Sequence, residues 1–211
     1  FIDCSNFILS IEFNNLVLID NKIQNILSYG ENSHQKAAFY QDDFSRNNWG
    51  NYFQIQGKAL SYNNHLDLDA CLNLLNNFKH YKDSIVGIIK HTNPCGVAAS
   101  NNIVKAFKKA ISSDPVSAFG GIIVINKKVG KDLADLIVKN FYEMVVAPDF
   151  DKESLQIFLK KKNLRIISLG KKWKLNKSSK KEFRSVLHGT LVQEKDKKFF
   201  SEKILYLLHY F

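Results

Sequence analysis

Methionine occurs once in this sequence, and cysteine and proline three times each. The chain opens on Phe1 rather than on methionine, and both ends are read as cuts. A helical membrane span needs roughly 20 consecutive apolar residues, and no run here approaches that. The first apolar stretch, residues 7–20, is interrupted by Glu12, Asn14 and Asn15, and it lacks the basic start and small-residue cleavage pattern of a signal peptide. A cytoplasmic protein without a membrane partner is expected. Cys4, Cys71 and Cys95 are odd in number and far apart, which suits reduced thiols better than a disulfide framework or a zinc cage. No metal site is expected. No Gly-x-Gly-x-x-Gly or Walker pattern occurs, so neither a dinucleotide site nor an ATPase site is indicated.

What is present fits one α/β core: 211 residues, 45% hydrophobic and 24% charged. The net charge of +10 and the pI near 9.4 suit a phosphate-bearing or nucleic-acid partner. Heavy use of Lys, Asn, Ile and Phe with little Arg, Ala and Pro is also what an A/T-rich coding sequence produces, and scattered lysines are ordinarily just solvated. The aromatics are not interleaved with lysines as base-stacking platforms require. A basic nucleic-acid-binding protein is therefore the weaker reading.

Ser84–Lys90 (SIVGIIK) is a short β-branched apolar run that stops at a polar cluster with Pro94 and Gly96, as a buried strand ending in a turn does. After Asn101 and Asn102, the spacing of Ile103, Phe107, Ala110 and Ile111 predicts a capped amphipathic helix. Residues 114–121 (DPVSAFGG) read as a turn. Strands are then expected at Ile122–Ile125, Met144–Ala147 and residues 164–169, with helices over 131–141 and 152–163. Such alternation implies an α/β fold with a mostly parallel sheet covered on both faces. Ahead of it, Leu68, Cys71, Leu72 and Leu75 share one face of a helix over 67–78. The basic stretch 171–181 has no apolar periodicity and reads as an exposed loop.

Four segments carry candidate chemistry. In residues 89–98 (IKHTNPCGVA), Lys90 and His91 sit side by side just past a buried strand, and ligands in open α/β sheets bind at strand carboxyl ends. There they would supply a proton donor and a proton acceptor to one reacting centre; the alternative is an exposed lysine and a turn histidine. Residues 27–35 (LSYGENSHQ) offer Tyr29 as a stacking or hydroxyl contact and His34 as a polar one, or form a loop with its own hydrogen-bond network. In residues 57–64 (GKALSYNN), Asn64 suits a carboxamide ligand or the capping of the following helix. In residues 113–121 (SDPVSAFGG), Gly120 and Gly121 run into a strand, where backbone can approach a ligand closely.

In order and spacing, LSYGENSHQ, GKALSYNN, IIKHTNPCGVA, SDPVSAFGGIIVIN and EMVVAPDF together resemble the AICAR transformylase domain of bifunctional AICAR transformylase/IMP cyclohydrolases. The resemblance spans residues 27–169 well and weakens toward GTLVQEKD at 189–196, which is similar to a family GGLLVQ-type segment. It implies a cytidine deaminase-like α/β/α sandwich, repeated in the complete domain, of which this chain holds the first copy. The implied divisions are a linker remnant of the cyclohydrolase domain over 1–26, the first half of the transformylase domain over 27–200, and a truncated tail over 201–211.

The implied activity is formyl transfer from 10-formyltetrahydrofolate, a co-substrate, to the exocyclic amine of AICAR, without a metal. Pro94-Cys95 is similar to the zinc deaminases, yet no cysteine follows at Ala98 and no His-x-Glu precedes. By resemblance Lys90 and His91 are catalytic. Tyr29, Asn64, His91, Gly120 and Glu143 contact the AICAR nucleotide, His34 and Asn93 support them, and a homodimer completes the site. IMP cyclohydrolase activity would belong to the full-length protein. Ser28 stands where the family has an arginine and His188 where it has a glycine. The first removes a permanently charged, bidentate contact. It keeps open a truncated or decayed remnant that only folds or dimerises.

Overall fold

A computed structural model describes residues 21–42, 52–170, 181–194 and 196. Its centre is a six-stranded sheet in the order β3-β8-β7-β6-β4-β5. The strands are β3 (Phe53–Gln56), β4 (Ser84–Lys90), β5 (Asn93–Ser100), β6 (Ile122–Ile125), β7 (Met144–Ala147) and β8 (Arg165–Ser168). Two separate antiparallel hairpins flank it in the chain, β1 (Asn21–Leu27) with β2 (Ala37–Asp42), and β9 (Lys181–Val186) with β10 (Gly189–Glu194).

The four inner strands are nearly continuous runs of Ile and Val because both faces of the sheet are covered. Alternation along them sends Ile85, Ile89, Ile122, Val124, Met144, Val146 and Ile167 to one face, under α1 (Tyr62–Asn77) with Leu68, Cys71, Leu72 and Leu75. Val86, Ile88, Ile123, Ile125, Val145 and Ile166 point to the other face. There they meet α2 (Ile103–Ser113), α4 (Lys131–Ile137) and α5 (Lys152–Phe158) through Phe107, Leu133, Ile137 and Phe158. Each fully buried leucine, isoleucine or phenylalanine contributes about 1.5–3 kcal/mol. Helices on both faces of one sheet make the chain α/β, as the alternation of patterns predicts.

Polar side chains cap four of the five helices among the described residues; α4 starts at Gly130 without one. Ser61 caps α1, its side chain accepting from the Asn64 N–H, while Asn64 Oδ1 accepts from the Ser61 N–H at 3.1 Å. Asn102 caps α2, Asp114 caps the short α3 (Pro115–Ala118), and Asp151 caps α5. The expected turn over 114–121 thus contains one helical turn before its glycines. The helix expected over 67–78 begins earlier, at Tyr62, because the capping box lies upstream of the apolar face. The helices expected over 131–141 and 152–163 are shorter, ending at Ile137 and Phe158.

The sheet is mixed. β6, β7 and β8 are parallel, as expected, whereas β3–β8, β6–β4 and β4–β5 are antiparallel. The polar segment after β4 is not an extended turn: only His91 and Thr92 turn, and the chain returns at once as β5, with Lys90 opposite Asn93. Pro94 is tolerated there because β5 is an edge strand, where a missing N–H leaves no partner unbonded. Gly96 lets β5 lie against α2, since a Cβ on it would collide with the Ala110 carbonyl oxygen.

Of the linker expected over 1–26, residues 21–26 form most of β1; residues 1–20, the basic stretch over 171–180 and the tail over 201–211 lie outside the described residues. Cys71 and Cys95 are free thiols, the first buried, and Cys4 lies outside the described residues. No helix among the described residues is long and apolar enough to cross a membrane.

Gly96→Ala should destabilise the protein by about 1–3 kcal/mol, the ordinary cost of overpacking against a rigid backbone. Gly189→Ala, where an added Cβ meets open space, should stay within about 0.5 kcal/mol. Chemical denaturation midpoints of the two variants check this.

Candidate active site at the end of the central strand

β4 ends at Lys90, and because β6 runs antiparallel to it, that end lies beside the start of β6 and hence the starts of β7 and β8. One edge of the sheet therefore gathers Lys90, His91, Gly120, Gly121, Glu143 and Arg165. This is the carboxyl end of β4 but the amino end of the parallel strands. The backbone stitches the edge together: Glu143 N donates to Gly121 O at 3.0 Å, and Arg165 N to Glu143 O at 3.1 Å.

The turn that carries His91 is conformationally costly. His91 and Thr92 have φ of 51° and 64°, the pattern of a two-residue type I′ hairpin turn, which ordinarily takes Asn-Gly. For residues with a Cβ, left-handed backbone costs roughly 1–2 kcal/mol each. Side chains hold it: Asp67 Oδ1 accepts from the Thr92 N–H at 2.6 Å, and Asn93 Nδ2 donates to His91 O at 2.8 Å. Burial pushes the Asp67 carboxyl above its ordinary range. The Thr92 N–H and the nearby His91 oppose that shift, and the negative charge of Glu143 adds to it.

Lys90 and His91 have different neighbours at the strand end. Lys90 Nζ donates to Phe119 O at 3.0 Å, in the segment between α3 and Gly120. Its charge also reaches Asp114 and Cys95. Asp114 is held below the usual carboxylate range chiefly by hydrogen bonds from Ser117 and slightly by Lys90, while burial pushes the Cys95 thiol up. His91 instead lies toward Asp67 on α1. Gly120 follows Phe119 at φ 76°, a value that favours glycine, and donates its N–H to Phe141 O at 3.0 Å. The half-exposed rings of Phe119 and Phe141 pack with centroids 5.5 Å apart and form an apolar rim beside Lys90.

Asn64 is 3% exposed and does two jobs. Its Oδ1 completes the capping box of α1, and its Nδ2 donates to Glu143 Oε2 at 3.1 Å. It is thus an N3 capping partner rather than the N-cap itself. Glu143 Oε2 also lies 3.7 Å from Arg165 NH1, with the arginine side chain 13% exposed and the glutamate 44%. At that exposure the ion pair orients the carboxylate more than it stabilises the fold. Arg165 is anchored in turn by Nε and NH2, both 3.3 Å from Ala59 O.

Tyr29 and His34 lie in the exposed loop between β1 and β2. That loop touches the start of α1, where Asn63 Nδ2 donates to Glu31 O at 3.3 Å, and His65 stacks on Phe39 of β2 with centroids 4.5 Å apart. The structure thus joins Asn64, His91 and Glu143 around Asp67, sets Lys90 and Gly120 beside Phe119, and holds the Tyr29 loop against α1. Sequence reasoning missed Asp67 and Arg165. Arginine occurs only three times in this lysine-rich chain, which was a usable signal for Arg165. For Asp67 the signal was its place three residues after Asn64, on the same helix face.

The profile of the AICARFT/IMPCHase bienzyme family matches residues 6–208. The chain belongs to this family. The bifunctional purine biosynthesis protein PurH of Caldicellulosiruptor saccharolyticus is 46% identical over 180 residues, covering 83% of this chain and 34% of that relative. PurH of Rhodospirillum rubrum is 44% identical over 180 residues, covering 85% and 34%. PurH of Fusobacterium nucleatum is 39% identical over 198 residues, covering 94% and 38%. The chain spans about a third of the length of these family members. Among solved structures, Acinetobacter baumannii RibD matches 48% of this chain and 35% of its own at 14% identity, with a TM-score of 0.37, too low for a fold assignment.

The stacked His65 yields a pH test. Burial holds its imidazole below the ordinary histidine value, so the folded state favours the neutral ring. Stability from this site is full above the unfolded value and declines as pH falls through the lower folded value. His65→Phe, which keeps an aromatic ring over Phe39, should lose that part of the decline in a pH series of denaturation curves; an unchanged slope would remove His65 from the account.

Proposed function

We propose that this chain forms part of the formyl-transfer site of a bifunctional purine-biosynthesis enzyme. In that site the exocyclic amine of AICAR attacks the formyl carbon of 10-formyltetrahydrofolate to give FAICAR and tetrahydrofolate. The observation that supports it most is a lysine and a histidine at the tip of a buried strand, the histidine in a left-handed turn, beside two glycines and a tethered carboxylate.

The amine nitrogen forms a bond to the formyl carbon, the carbon's bond to the folate nitrogen breaks, and one proton must leave the amine while another reaches the folate nitrogen. In this reading His91 accepts the first and Lys90 donates the second. The lysine's bond to Phe119 O keeps it aimed at the edge where Gly120 lets backbone approach the ligand. Glu143 contacts the nucleotide, with Asn64 fixing its carboxylate from the buried side, and Tyr29 contacts the nucleotide from the β1–β2 loop. His34 and Asn93 act as supports, Asn93 through its hold on the His91 carbonyl. Positioning by such contacts supplies much of the rate.

We read the fold as the first copy of a cytidine deaminase-like α/β/α sandwich. The second copy and a homodimer partner complete the folate and AICAR contacts, and IMP cyclohydrolase activity resides elsewhere in the complete protein. No group of three or more potential metal ligands occurs among the described residues, and the proposed chemistry routes no step through a metal. Ser28 in place of the family arginine favours a second reading, a truncated or decayed inactive remnant that only folds or dimerises.

In the complete gene product that carries this sequence, Lys90→Ala should lower formyl transfer by at least about 10²-fold, the usual worth of a positioned acid or base, with unchanged thermal stability. Retained activity would take the lysine out of the mechanism. Ser28→Arg should tighten AICAR binding by up to about 1.5–3 kcal/mol, as a charge-assisted hydrogen bond does. Calorimetric titration that finds no AICAR binding to either form supports the remnant instead.

A further inference from the structure

Resting on the formyl-transfer reading, we propose that Asp67 is a positioning residue that clamps the β4–β5 turn from α1 and so presents Lys90 and His91 to the reacting atoms. Thr92 is β-branched and stands at φ 64°, a conformation such residues avoid. It persists only where the surroundings over-determine it. The turn's own side chains supply two bonds, from Thr92 Oγ1 at 2.6 Å and Asn93 Nδ2 at 2.8 Å, both to His91 O. These shape the turn but fix it to nothing else. Among the described residues, the bond from the Thr92 N–H to Asp67 Oδ1, 2.6 Å long, is the one that ties the turn to another element.

The element it chooses is significant. Asn64, one turn earlier on α1, orients Glu143 across the site. Residues three apart share a helix face, so α1 fixes the distance between the Glu143 carboxylate and the His91 turn through two side chains on one rigid body. The helix is itself seated on β4 through Leu68, Cys71 and Leu75. A turn free to relax toward unstrained backbone would carry His91 away from Glu143 while leaving the sheet intact. The clamp needs an oxygen acceptor at this position, not a charge.

The test compares Asp67→Asn, which keeps an acceptor oxygen, with Asp67→Ala in the complete gene product. Asp67→Ala should lower kcat about 100-fold, the scale of a small misplacement, with KM for AICAR changed less than threefold. Asp67→Asn should recover at least tenfold of that loss. Thr92→Gly placed in the Asp67→Ala background should also recover activity, because glycine adopts the turn without a clamp. Wild-type kcat in Asp67→Ala, or an Asp67→Asn variant as impaired as Asp67→Ala, would overturn the proposal, the second result pointing to charge. Hydrogen exchange at the Thr92 amide judges the clamp separately: slow in the wild type and Asp67→Asn, fast in Asp67→Ala. An amide that exchanges freely in the wild type sinks the clamp, whereas a protected amide in a protein without formyl transfer sinks only the reading on which its catalytic role rests.

Discussion

The fold turns on a strand that is covered on both sides and must reverse direction in two residues. β4 lies between β6 and β5, with α1 beneath it and α2 above, so its Ile and Val side chains have no solvent face. A strand in that position cannot slip by one residue without sending every side chain to the wrong cluster. Its end is therefore fixed in register. The cost is borne at the reversal, where His91 and Thr92 occupy backbone that glycine would take more cheaply.

That reversal explains why the candidate site lies where it does. Because β5 returns along the edge and β6 runs antiparallel to β4, the tip of β4 meets the beginnings of three parallel strands. Gly120, Glu143 and Arg165 enter from those beginnings, each just before or at the first strand residue. α1 serves both the core and the site. One face buries Leu68, Cys71, Leu72 and Leu75, while its first turns offer Asn64 and Asp67 to Glu143 and Thr92. Asn64 shows the economy most clearly, since one amide closes the helix cap with its oxygen and holds a carboxylate with its nitrogen.

Much of this was legible before any coordinates. The apolar runs at Ser84–Lys90, Ile122–Ile125 and Met144–Ala147 are strands with those bounds, because a strand buried on both faces leaves an uninterrupted signature. The spacing of Ile103, Phe107 and Ala110 marked α2 equally well. β5 was not legible: Asn93, Pro94 and Gly96 read as a turn, and the real turn at His91 and Thr92 lacks the Asn-Gly pair that ordinarily marks a two-residue hairpin. β3 was hidden for a different reason, four residues whose partner lies more than a hundred positions away. The start of α1 was misplaced because the apolar face was read and the Ser61–Asn64 box was not.

The candidate site divides along the same line. Residue types and their spacing were sufficient to single out Lys90, His91 and Gly120, and the motifs taken in order were sufficient to show the family resemblance, which alone pointed to Glu143. The bond from Lys90 to Phe119 O, the tie from Thr92 to Asp67, the tether from Asn64 to Glu143, and the anchoring of Arg165 on Ala59 O came only with the tertiary structure. Each joins residues that pairing and helix packing bring together across the sheet edge. A hydrogen bond between side chains distant in sequence depends on where two separate elements come to rest, and that is decided by the burial of the whole core rather than by either residue's neighbours.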